Sequence, residues 1–108
     1  MSEQFDSSRP IYAQLVERLK ARILAGTYPP GGHLDSVRDL AAAAGVNPNT
    51  MQRALTELER DGLVYSQRTS GRYVTEDRDV ISAARHALAA GKVRTFLSDM
   101  TALGFEKE

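Results

Sequence analysis

LDSVRDLAAAAGVNPNTMQRALTELERDG, Leu34 to Gly62, reads as two helices joined by a tight turn, and each boundary carries its own chemical signal. Ser36 can cap the first helix, with Asp39 three residues on, a short variant of the capping box that adds negative charge to the first turn. Gly45 stands where that helix must stop, and it tolerates the positive φ that such a turn uses. Asn47-Pro48 is a strong start signal, a capping side chain followed by the ring that suits the first helical position. Met51, Leu55 and Leu58 recur at a helical period until Gly62. Two short capped helices around a turn are the signature of a helix-turn-helix, whose second helix usually enters the major groove of DNA.

The next residues decide the subtype. Leu63 to Gln67 is strand-like, Arg68-Thr69-Ser70-Gly71 supplies turn residues, and Arg72 to Thr75 is strand-like again. A hairpin directly after the recognition helix predicts a wing, with Leu63, Tyr65, Tyr73 and Val74 packed against the helices. Arg68 and Arg72 flank its tip, where cations reach phosphate or the minor groove. Upstream, Ile11, Leu15, Leu19 and Ile23 fall at four-residue intervals with Tyr12 and Val16 beside them, a broad core stripe ended by Gly26. Tyr12 and Gln14 read as structural. Residues 27–32 form a loop into a short strand near His33-Leu34.

These residues carry a resemblance. Pro10-Ile11-Tyr12-Ala13-Gln14-Leu15, Ile23-Leu24-Ala25-Gly26, Pro30-Gly31, Leu34 to Ala41, Gly45 to Thr50, Ala54 to Glu59 and Gly71 to Val74 occur in the order found in the GntR superfamily of bacterial transcription regulators. The Asn-Pro-Asn-Thr start of the recognition helix resembles its small YtrA-like branch. The resemblance covers about residues 10–75. It implies an α+β winged helix-turn-helix and a DNA contact at Arg38.

Two departures matter. Asp35 stands where the family commonly has proline, and a carboxylate near a docking face opposes phosphate. Pro48 occupies the place where many relatives carry an arginine, so base reading must lean on Asn49, Thr50, Gln52 and Arg53. Gln52 and Asn49 can pair bidentately with adenine, Arg53 can take guanine or phosphate, and Thr50 suits phosphate or a thymine methyl. With Asn47 at the cap and Arg68, Ser70, Gly71 and Arg72 in the wing, these residues and Arg38 make the expected DNA-binding set.

After Thr75 the character changes. Asp77 is a helix-cap candidate, an alanine-rich helix follows from Val80, and Gly91 is expected to kink or interrupt it before Gly104 closes the run. Val80, Ile81, Ala84, Leu88, Val93, Phe96, Leu97, Met100 and Leu103 form an apolar face with too little material for a separate core. Such an arm buries its stripe most economically against a second copy, and the YtrA-like resemblance implies the same dimerisation role. The organisation expected is a tail at 1–9, a winged helix-turn-helix domain at 10–75 and a short helical dimerisation arm at 76–108.

Composition bounds the function. The 108 residues suffice for one small domain and an appendage, with no cysteine and a formal net charge of zero. Between Arg9 and Arg72, nine Lys/Arg face six Asp/Glu, so the +3 balance is confined to the winged segment. No run is long enough to span a membrane and no leader pattern opens the chain, in keeping with a cytoplasmic protein. His33 and His86 stand apart without clustered carboxylates, and Glu57 and Glu59 point to different faces of a helix, so neither metal nor cofactor nor catalysis is expected. The short arm leaves no room for an effector cavity of its own, so any effector would sit at a dimer interface, or regulation would come from elsewhere. The reading is a homodimeric repressor of an inverted-repeat operator. A winged-helix protein-interaction adaptor is the alternative, favoured by Asp35 and the balanced charge.

Overall fold

The computed structural model describes residues 4–105. Helices α1 (Ile11–Ala25), α2 (Val37–Ala44) and α3 (Pro48–Arg60) are followed by strands β1 (Val64–Gln67) and β2 (Gly71–Val74), then by α4 (Arg78–Ala102). The local signals act where the sequence places them. Ser36 Oγ accepts the Asp39 N–H at 3.1 Å, and Gly45 turns the chain at φ 73°. Asn47 Oδ1 accepts the Asn49 N–H at 2.7 Å, and Pro48 occupies the first turn of α3.

One core joins the three helices to the hairpin. Leu15, Leu19 and Ile23 of α1 meet Leu40 of α2, Met51, Leu55 and Leu58 of α3, and Leu63, Val64 and Val74 of the hairpin. Ile11, expected in the stripe, is 42% exposed because it opens α1 beyond the edge of this core. Gln14 is buried and bonded on both ends of its amide. Its Oε1 accepts the Asp6 N–H at 2.8 Å while Nε2 donates to the carbonyls of Asp6 and Arg9. Residues 4–9 are therefore folded onto α1, with Phe5 against the core.

β1 and β2 pair antiparallel in the register Val64↔Val74 and Tyr65↔Tyr73. His33 adds a single bridge to Tyr73, where the sequence suggests a short strand. Strand alternation corrects the expected packing of the tyrosines. Val64 and Val74 point inward, so Tyr65 and Tyr73 lie on the other face, stacked with ring centroids 5.7 Å apart.

α4 begins at an Asp77 cap whose Oδ1 accepts the Asp79 and Val80 N–H groups. It runs unbroken through Gly91, against the expected interruption. A lone glycine costs a helix interior only about 1 kcal/mol relative to alanine, and the flanking helix formers carry it. A second correction concerns Val80, Ile81 and Ala84, assigned above to a partner. Ile81 is 5% exposed inside the core and the other two pack against it, because the start of α4 lies over its own winged domain. Leu88 lies beside Ala21 and Leu24 of α1. Beyond that point Val93, Phe96 (59% exposed), Leu97, Leu103 and Phe105 are uncovered.

Candidate nucleic-acid interface

The face of α3 opposite the core is built by its period. Met51, Ala54, Leu55 and Leu58 are buried, which turns Asn49, Gln52, Arg53, Thr56 and Arg60 outward. The side chains of Asn49 and Gln52 have no partner among the described residues, so their amide groups are available to base edges. Asn47 differs, since its carbonyl oxygen is committed to the cap. Thr50 is half-buried at the edge of this face, and Arg38 is exposed in the first turn of α2.

Arg53 is not loose. Its guanidinium carbon lies 3.6 Å from the centroid of the Tyr12 ring on α1, a cation–π contact. On the other flank Glu59 reaches the wing. Glu59 Oε1 accepts Ser66 Oγ–H and Arg72 Nε–H, each at 2.6 Å. The Ser66 hydroxyl and then the Arg72 guanidinium hold the Glu59 carboxyl below the usual glutamate value, against partial burial. Arg72, expected as a free wing cation, is instead half-buried with its Nε committed to α3, which leaves its terminal amino groups as donors.

The wing tip carries Arg68 and Ser70, both exposed. Gly71 opens β2 at φ 99°, a conformation that favours glycine and lets a three-residue loop close the hairpin. His33 supports this tip from outside the hairpin. Its Nε2–H donates to the Ser70 carbonyl at 2.5 Å, and its ring meets Tyr73 edge-on at 4.8 Å. Between the wing and the start of α2, a cavity of about 280 Å³ is lined by His33, Asp35, Ser36 and Arg72 among others. Asp35 thus lines the same cavity as Ser70, Gly71 and Arg72 of the wing.

The structure thus brings Asn49, Gln52 and Arg53 onto one surface, ties Arg72 to it through Glu59, and places Arg68, Ser70 and Gly71 at the tip. Sequence reasoning missed the supporting residues Tyr12, Glu59 and His33. The Pro-Ile-Tyr opening marks Tyr12 without telling its task, and no local pattern links Glu59 to a strand thirteen residues on.

Residues 11–74, more than half the chain, match the family of bacterial regulatory proteins described as the gntR family. The chain belongs to the GntR family. The HTH-type transcriptional repressor YtrA of Bacillus subtilis is 40% identical over 81% of this GntR chain, which spans 62% of that relative's length. A GntR family transcriptional regulator from Listeria monocytogenes has a similar structure, with a TM-score of 0.88 and 43% identity over 95% of this chain and 90% of that one. The DNA-binding domain of AraR in complex with operator ORR3 superposes with a TM-score of 0.60 and 28% identity, over 69% of this chain and 88% of that one. This GntR protein is accordingly a transcriptional regulator with a winged-helix DNA-binding domain, and not an enzyme. No helix among the described residues is long and apolar enough to cross a membrane.

Proposed function

We propose that this protein is a YtrA-like repressor that acts in the cytoplasm as a homodimer and reads an inverted-repeat operator through residues 10–75, with residues 76–108 as its dimerisation arm. The observation that carries the reading is the outer face of α3, where the side chains of Asn49 and Gln52 have no partner among the described residues and are flanked by Arg53 and the Glu59-held Arg72. Amide side chains in this position match the major-groove edge of adenine, while guanidinium groups beside them match phosphate. Arg38 approaches the backbone from α2, and Arg68 with Ser70 and Gly71 from the wing.

The arm supports the two-fold arrangement. Val93, Phe96, Leu97 and Leu103 leave an apolar strip uncovered on a helix already anchored by Ile81. A second copy would bury this strip and set two α3 helices about 34–36 Å apart, one turn of duplex. Occlusion of a promoter is the mode of repression that such a dimer suits, and the repressor named among its relatives supports that sign of regulation. A small-molecule effector, where one acts, would bind at the joint of the two copies.

The test is fluorescence anisotropy on the promoter fragment upstream of the protein's own coding sequence, against scrambled duplex, across a salt series. Tight fragment-specific binding with steep salt dependence is expected. Equal weak binding to both duplexes would favour the adaptor reading, to which the zero net charge lends itself.

A further inference from the structure

Tyr12 is half-buried in the first turn of α1, and its ring carries the guanidinium of Arg53 at 3.6 Å. Among the described residues α1 and α3 pack more extensively than any other helix pair, and the ring and the guanidinium bridge these two helices. Tyr12 therefore holds an exposed arginine of the recognition helix in a set place. The two flanks of α3 are then distinct. Glu59 ties one flank to the wing, Arg53 leans from the other onto α1, and Asn49, Gln52 and Thr56 lie on the face between.

We propose that Tyr12 is a positioning residue for DNA recognition, its ring holding Arg53 as a phosphate clamp on the flank of α3 opposite the wing. The inference rests on the DNA-binding reading above. Arginine ordinarily gives up much rotamer freedom when it docks, and a ring that already restricts the guanidinium removes part of that loss. A guanidinium lying on a ring spends its face and keeps its N–H edges, which form the fork that grips a phosphate in two places. The centre of a helix in the major groove meets base edges, whereas its flanks meet the two phosphate backbones.

The duplex used for the test is the one that the full chain selects from a randomised pool. Tyr12→Leu is expected to weaken binding about two- to fivefold, the worth of an exposed cation–π contact, with thermal stability of the variant recorded alongside. Tyr12→Phe keeps the aromatic face and should bind within about twofold of the parent chain. Arg53→Ala should lose affinity by a similar factor across all single-base variants of the duplex and flatten the salt dependence by about one phosphate. The double variant Tyr12→Leu/Arg53→Ala should bind no worse than Arg53→Ala alone, because the ring acts through the arginine.

Additive losses in the double variant would overturn the proposal, as would a Tyr12→Phe loss equal to that of Tyr12→Leu, which would make the hydroxyl the operative group. A loss for Arg53→Ala confined to variants of one base pair would overturn the phosphate assignment. Should Tyr12→Leu fail to fold, the comparison of Tyr12→Phe with Arg53→Lys decides, since lysine keeps the charge without the planar stack and should bind more weakly than Tyr12→Phe. A parent chain that selects no duplex would overturn the DNA-binding reading and this proposal together, whereas the other contrary outcomes overturn this proposal alone.

Discussion

Glu59 on α3 and Arg72 on β2 are joined at 2.6 Å, and Ser66 on β1 donates to the same carboxylate oxygen. One acidic side chain of the recognition helix thus reaches both strands of the wing. The apolar inner face, the His33 contacts and backbone bonds to residues 31–34 also hold the hairpin, while this polar contact ties its outer edge to α3, where helix and wing would meet DNA together.

Glu59→Gln should lower stability by about 1 kcal/mol at neutral pH, the scale of a partly screened charge-assisted hydrogen bond. The pH dependence has a definite sign. The Glu59 carboxyl is held below its ordinary value of 4.5 in the folded chain, so its stabilisation is present above that value and is lost as pH falls through the lower, folded one. Thermal melts of both proteins should differ by a constant amount near neutrality and converge in acid. A gap that widened on acidification would contradict the assignment.

Gly71→Ala should damage the wing tip. An added Cβ would lie 3.0 Å from His33 Nε2 at a φ of 99° that side chains rarely adopt, and the Ser70 contact would have to shift. A loss of about 1 kcal/mol or more is expected. Hydrogen exchange should show it confined to the hairpin and the His33 segment, with the amides of α3 unaffected.

How much of this was legible varies by element. Helix ends were readable because their signals are local: Ser36, Asn47-Pro48 and Asp77 each act on amides two or three residues away. The tyrosine faces were misassigned because Leu63, just ahead of β1, is buried next to Val64, which hides the alternation that turns Tyr65 outward. The Arg53–Tyr12 and Glu59–Arg72 contacts join separate elements, and no spacing rule specifies such pairs. Gly91 carries a breaker's signal, yet the helix continues through it.

Gln52→Ala should cost about 1–3 kcal/mol on the preferred duplex and relax discrimination at one base pair. Arg38→Ala should instead weaken binding uniformly. Affinities over a panel of single-base variants separate the two patterns, and a uniform loss for Gln52→Ala would move that residue from base reading to backbone contact.

α4 should divide into two functions. Ile81→Ala opens a cavity in the winged core and should destabilise by about 2–5 kcal/mol. Phe96→Asp with Leu97→Asp lies on the uncovered strip and should leave the fold intact while abolishing self-association. Sedimentation of this double variant as a dimer would remove the strip from the interface.

Two copies of α3 reading one two-fold operator would leave a symmetric trace in hydroxyl-radical footprinting of the selected duplex. Two protected patches related by a dyad are expected, with half-site centres about 10 base pairs or a multiple apart. A single asymmetric patch, or none at a concentration where anisotropy shows binding, would contradict the two-fold reading.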